Sequence, residues 1–227
     1  MTVRRFHSIA SWLSVVVVPM VLAAQPVLAL GAADCDSGEL LDGDGNCVPI
    51  PVEIDNDTKT VFVTSIDYTG ALVSEAAALG FSGGTGLEAG DFICNDHAQS
   101  AGLLGSYVAW LSDFTTDAKD RLTAGSGPFV KLNGDLVAID IGDLVDGDIA
   151  NPIDVDETGA AKSGTRVWTA TTTNGTGVES ASGYCGGWER TSGRGLVGLA
   201  SSADGRWTDA GAYPYCGDRS ALYCFRE

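Results

Sequence analysis

Seven carboxylates crowd the eighteen residues from Asp140 to Glu157: Asp140, Asp143, Asp146, Asp148, Asp154, Asp156 and Glu157. Acids packed this closely in a fixed loop repel one another, and a hard divalent cation, which takes roughly six to eight oxygen ligands, removes that penalty. Asp140, Asp143, Asp146 and Asp148 fall close enough along the chain to share one Ca2+, with Gly142 and Gly147 permitting the tight turns. A solvated acidic loop is the competing reading of the same residues. Asp42-Gly43-Asp44-Gly45-Asn46 also has the look of a calcium loop. However, Cys47 stands where such a loop requires Gly, and Pro49 and Pro51 oppose an exit helix, so a polar turn is expected there. His97 follows Cys94 by three residues, the spacing of a Cys–His pair on one helix face, but no placed group orients it. Paired acids are available to any acidic chain. No catalytic residue is assigned, and a non-enzyme is expected.

Six cysteines, at 35, 47, 94, 185, 216 and 224, constitute an even set in a chain whose start reads as an export signal. Arg4 and Arg5 precede an apolar stretch, Leu13 to Ala24, too short to cross a bilayer, and Val27-Leu28-Ala29 offers a cleavage site. Residues 1–29 are therefore expected to be a signal peptide, and the protein to be secreted, periplasmic or on the cell surface. In such a compartment the cysteines read as a disulfide framework. Cys35 and Cys47 are close in sequence and isolated from the rest, so they are expected to close a small loop. The other four can pair in three ways, and spacing does not choose among them.

Removing residues 1–29 takes away two of the 13 Lys and Arg and none of the 30 acids. A surface this acidic repels nucleic acid, heparin-like polyanions and anionic headgroups, so none of these is an expected partner, and no membrane span remains after cleavage. Residues 30–59, polar and rich in Gly, Asp and Pro, cannot build a core and read as a disulfide knuckle or stalk. Residues 60–227 are long enough for one domain with its own core.

Within that domain, Val61 to Ile66 reads as a strand, followed by a Gly-rich loop and a helix from Leu87 to Ala101, where Gly102 is a natural stop. Tyr107 to Leu111 reads as a strand and Thr115 to Leu122 as a short helix. Asn133-Gly134 between Phe129–Leu132 and Leu136–Ile139 is a hairpin signal. Residues 140–166 form an acidic loop, and strands are expected at Val167–Thr169, Leu196–Ala200 and Ala221–Phe225. Two early helices with short strands and long loops point to an α+β fold.

Several segments, taken in order, resemble one family. They are Ala89-Gly90-Asp91-Phe92-Ile93-Cys94, Ala98-Gln99-Ser100-Ala101-Gly102-Leu103, Gly105 to Ser112, Val167-Trp168-Thr169, Tyr184-Cys185 with Trp188, and Cys216 with Ala221-Leu222-Tyr223-Cys224-Phe225. This pattern resembles the endostatin-like domain, most closely that of bacterial secreted or surface proteins in which its function is unassigned. The resemblance spans nearly all of residues 60–227. It implies a C-type-lectin-like fold with two helices, a mixed twisted sheet and long loops, and it implies the nested pairing Cys94–Cys224 and Cys185–Cys216. The arginine clusters and N-terminal histidines by which endostatins bind heparan sulfate and zinc are not matched here.

Trp207-Thr208-Asp209, seven residues before Cys216, is also similar to the Trp-Asn-Asp signature of calcium-dependent lectins, with Thr208 in place of the Asn that supplies a calcium ligand. Trp188, Trp207 and Asp209 are thus the candidate ligand-binding residues. Trp110 and Trp168 are further candidates for sugar stacking, although at least two of the four tryptophans should belong to the core. The expected function is a non-enzymatic binding or adhesion module for an extracellular protein or glycan. The alternatives are a structural envelope-associated domain with calcium-stabilised loops, and calcium-dependent carbohydrate binding.

Overall fold

Val61, Phe62 and Val63 are consecutive and all completely buried, which requires a strand covered on both faces. In a computed structural model of the chain, describing residues 39–41, 47–49, 58–123, 127–179 and 183–227, that strand lies in the middle of a five-stranded sheet. The N-terminal hairpin pairs β1 (Glu39–Leu41) with β2 (Cys47–Pro49). The main sheet contains β3 (Lys59–Val63), β4 (Tyr107–Ala109), β5 (Phe129–Lys131), β6 (Leu136–Ala138) and β9 (Tyr223–Arg226), in the order β4-β9-β3-β5-β6. Only β3 and β5 run parallel among these pairs. A separate ribbon pairs β7 (Arg166–Trp168) with β8 (Val197–Leu199).

The pleat sorts side chains into two cores. Phe62 and Cys224 point to one face, where α1 (Leu72–Ala78) and α2 (Gly86–Ser100) cover them with Leu72, Ala76, Ile93 and Cys94. Val61, Val63, Tyr223 and Phe225 point to the other, where they meet Trp110, Phe129, Leu144, Ile153 and Trp207. Thr85 and Glu88 form a reciprocal capping box at the start of α2, satisfying two of its free N–H groups. Asp91 on α2 grips Arg121 with both oxygens, at 2.6 and 2.7 Å, and accepts the Ala109 N–H at 2.8 Å, fixing the helix to β4.

The result is a mixed α+β fold, with differences from expectation that have local causes. The segment read as a Gly-rich loop contains α1, a short helix whose first turn has no side-chain cap. The short helix expected over Thr115–Leu122 is a single 3-10 turn, Ala118–Arg121, whose start Asp117 leaves uncapped because its carboxylate accepts the Gly177 N–H instead. The acidic loop contains α3 (Ile141–Leu144), capped by Asp140. The strand expected to run on to Ile66 ends at Val63, beyond which Ser65 turns its N–H toward Glu157.

The structure bonds Cys94 to Cys224 and Cys185 to Cys216. Closing 130- and 31-residue spans, these bridges remove chain entropy from the unfolded state worth up to about 5 and 4 kcal/mol. Cys47 is disulfide-bonded, and its expected partner Cys35 lies outside the described residues, as do the signal segment 1–29 and the run from Asp42 to Asn46. Among the described residues no helix is long and apolar enough to cross a membrane.

Candidate functional site

Helix α2 presents His97 from its last turn into a buried polar chain. The His97 Nδ1 lies 2.7 Å from Glu157 Oε1, and the Nε2 lies 2.7 Å from the Tyr68 hydroxyl. Ser65 donates both its N–H, at 2.9 Å, and its hydroxyl to the same carboxylate. An ionised carboxylate can only accept, so Nδ1 carries a proton. Burial pushes the Glu157 carboxyl up, but the hydrogen bonds from His97 and Ser65 outweigh it and hold it down at about 2. Tyr68 is pushed up to about 12, first by burial and then by the charges of Asp96, Glu157 and Glu75. A phenol so reluctant to ionise and only 5 % exposed is no nucleophile. The chain is a clamp that ties the acidic segment to the first helix layer. Sequence reasoning missed it because its members lie 29 and 60 positions apart.

The tryptophans expected to meet a sugar are in the core. Trp110, Trp168, Trp188 and Trp207 are all essentially fully buried, so none offers a ring face to solvent. The Trp188 indole donates to the Ser112 carbonyl at 2.8 Å, and Trp207 packs on Trp110 and Tyr223. Thr208 is also completely buried. Its hydroxyl accepts the Trp110 indole N–H at 2.9 Å and reaches the Thr171 carbonyl at 3.2 Å, inside a buried set with Ser112 and Thr169. Where a lectin's Asn would reach calcium, Thr208 completes a core hydrogen-bond network. Asp209 is half-buried and accepts the Gly211 N–H, a turn contact.

Three of the four aspartates expected to share a calcium ion accept backbone N–H groups of their own segment. Asp140 caps α3 by accepting the Asp143 N–H at 2.9 Å, Asp143 accepts the Ile139 N–H at 2.8 Å, and Asp146 accepts the Asp148 N–H at 3.3 Å. Further along, Asp154 pairs with the buried Lys131, and Asp156 accepts three bonds from its own turn. Among the described residues, no group of three or more His, Cys, Asp or Glu side chains is placed to hold a metal ion.

What sequence reasoning scattered, the fold gathers around the Cys185–Cys216 bridge. Tyr215 is 61 % exposed and Tyr213 38 % exposed. The Arg194 guanidinium lies 4.2 Å over the Tyr215 ring while it donates to the Tyr213 carbonyl at 2.7 Å. Arg190 is exposed and lines an adjoining cleft of about 580 Å³ with Thr69, Ser74, Glu75, Thr191 and Ser192. Among the described residues neither Arg190 nor Arg194 has an ion-pair partner. The loop is anchored by the bridge itself, by the Gly195 N–H to Pro214 carbonyl bond and by the Cys216 N–H to Gly193 carbonyl bond. The only sequence signal was the Tyr-Pro-Tyr triplet before a cysteine. The segment α4 (Cys185–Trp188) has positive φ throughout and is a left-handed turn. No protein-family model matches this chain, and no curated protein does either.

Proposed function

We propose that this protein is an exported, non-enzymatic binding module carrying an endostatin-like domain of the C-type-lectin-like class, and that it takes an extracellular protein ligand on the Tyr213–Tyr215–Arg194 face. The carrying observation is the pair of exposed tyrosines with the Arg194 guanidinium 4.2 Å over the ring of one of them. Tyr and Arg are enriched in binding hot spots, Tyr because it offers a large rigid contact area at low entropic cost and Arg because its planar guanidinium carries five donors and stacks on aromatic rings. Anchorage by a disulfide favours the reading further, because a pre-ordered loop loses less freedom on binding. The domain assignment is supported by the ordered sequence segments and by the nested bridges joining α2 to β9 and the Tyr184–Cys185 turn to Cys216. Export is supported by the disulfides.

The test is a panel of immobilised extracellular proteins together with a glycan array, probed with the purified chain with and without chelator. Retention on a protein that falls more than about tenfold in Tyr215→Ala and Arg194→Ala, with unchanged melting, is the expected result. Retention on sugars that vanishes in chelator would instead establish calcium-dependent carbohydrate binding. Protein retention indifferent to both substitutions would place the ligand elsewhere and sink this assignment.

A further inference from the structure

The residues Cys185, Gly186, Gly187 and Trp188 have φ of 50°, 65°, 80° and 66°. Glycine tolerates this region, but Cys185 and Trp188 carry a Cβ that crowds the following carbonyl. Strain of this kind persists only where the surroundings impose it. Burial of the Trp188 indole and its bond to Ser112 impose it at one end, and the bond to Cys216 imposes it at the other.

The two described bridges therefore stand in different settings. Cys94 lies inside α2 and Cys224 inside β9, a strand flanked by β3 and β4 on either side. Cys216, although itself buried, lies between the exposed Tyr215 and Gly217. Gly193 lies beside its sulfur, with room for a Cβ at 4.0 Å, whereas Gly70 and Gly195 press closely on the Cys185 sulfur, where a Cβ would fall within 3 Å. A small local opening reaches this sulfur, whereas reaching Cys94–Cys224 requires parting helix from sheet.

We propose that Cys185–Cys216 is a redox-labile bridge, opened by a thiol reductant ahead of Cys94–Cys224, and that its opening releases the loop carrying Tyr213, Tyr215 and Arg194. The regulatory meaning of that release rests on the binding face proposed above; the order of reduction does not. In the first step a reductant thiolate attacks Cys216 Sγ, the Cys185–Cys216 bond breaks, and Cys185 leaves as a thiolate that takes up a proton. In the second, the reductant's other thiolate attacks the mixed disulfide and Cys216 leaves as a thiolate. The protein gains two electrons and two protons, and the dithiol becomes a disulfide.

The test uses the oxidised full chain in graded dithiothreitol, quenched with iodoacetamide, with alkylated cysteines counted by peptide mass spectrometry. Cys185 and Cys216 should be alkylated about tenfold faster than Cys94 and Cys224. Equal or reversed rates overturn the proposal. Gly187→Ala adds left-handed strain without crowding, since nothing lies within 4 Å of the Cβ it would gain. It should speed alkylation of Cys185 and Cys216 about threefold and leave the other pair unchanged. No change, or faster loss of Cys94–Cys224 as well, counts against strain in the turn as the cause. For the release, Cys185→Ser with Cys216→Ser should hasten tryptic cleavage after Arg190 and Arg194 while Cys94–Cys224 stays intact. Unchanged cleavage would refute the release but say nothing against the binding face.

Discussion

Replacing Glu157 with Gln removes the charge at the centre of the buried clamp while keeping its shape. The carboxyl sits at about 2 against an ordinary 4.5, a difference of about 2.5 pH units or roughly 3 kcal/mol. Glu157 is only 7 % exposed, so solvent screening takes little from that figure. A carboxylate whose pKa is depressed by folding contributes stability that is fully present above its unfolded value. That stability is lost as the pH falls from about 4.5 toward 2. For a domain of this size, roughly 3 kcal/mol corresponds to a melting point about 6–12 °C lower in Glu157→Gln at neutral pH. Paired thermal melts of the two proteins, stepped from pH 7 to pH 2, make the measurement. Every other carboxylate titrates in both, so the difference isolates Glu157. The gap should be widest near neutrality, narrow as the pH falls below about 4.5, and close only near pH 2. A gap of constant size across the series would mean that Gln disturbs packing alone, and no gap at all would mean that Glu157 holds nothing together.

Thr208→Val removes the acceptor of the buried Trp110 indole N–H and should cost about 1–3 kcal/mol by denaturant unfolding, with Thr208→Ser recovering most of it. Because Asp140, Asp143 and Asp146 already accept backbone N–H groups, melting midpoints in millimolar calcium, in magnesium and in chelator should coincide. A midpoint raised by calcium alone would restore the metal loop. Removing the longer bridge with Cys94→Ala and Cys224→Ala should lower stability by up to about 5 kcal/mol, read from denaturant midpoints of the oxidised proteins.

The parts of the fold that were legible in the sequence are those whose information is local. Asn133-Gly134 between two apolar runs gave the β5–β6 hairpin, and the apolar spacing from Leu87 to Ala101 gave α2 within a residue at each end. Helix α1 was not legible, because its seven residues are shorter than two helical periods and follow a turn without a capping side chain. The acidic run was ambiguous in the sequence because Asp and Gly at short spacing serve calcium loops and capped turns alike. Which one forms depends on whether the carboxylates face a common point or their own backbone, and spacing cannot tell. Trp207-Thr208-Asp209 failed for a different reason. A pattern of residue types does not say which side of the chain faces the core, and here Thr208 faces inward. The His97 clamp and the Arg194–Tyr215 stack depend on chain crossings between distant segments. No window of sequence contains them.

The place of β9 has a consequence for how the protein is made. This strand joins β4 to β3 at the heart of the main sheet, yet of all the domain's elements it is the last to be synthesised. Until residues 223–226 emerge, the strands β3 and β4 have an open slot between them, and each shows an unpaired edge to its surroundings. Cys94 likewise waits through 130 residues of synthesis for Cys224, while Cys185 and Cys216 appear in the interval as available but incorrect partners. A chain built this way cannot commit to its fold segment by segment as it leaves the ribosome or a translocation pore. Its central sheet and its longer bridge can close only once the last strand is made, so the demand for correct disulfide pairing falls at the end of synthesis.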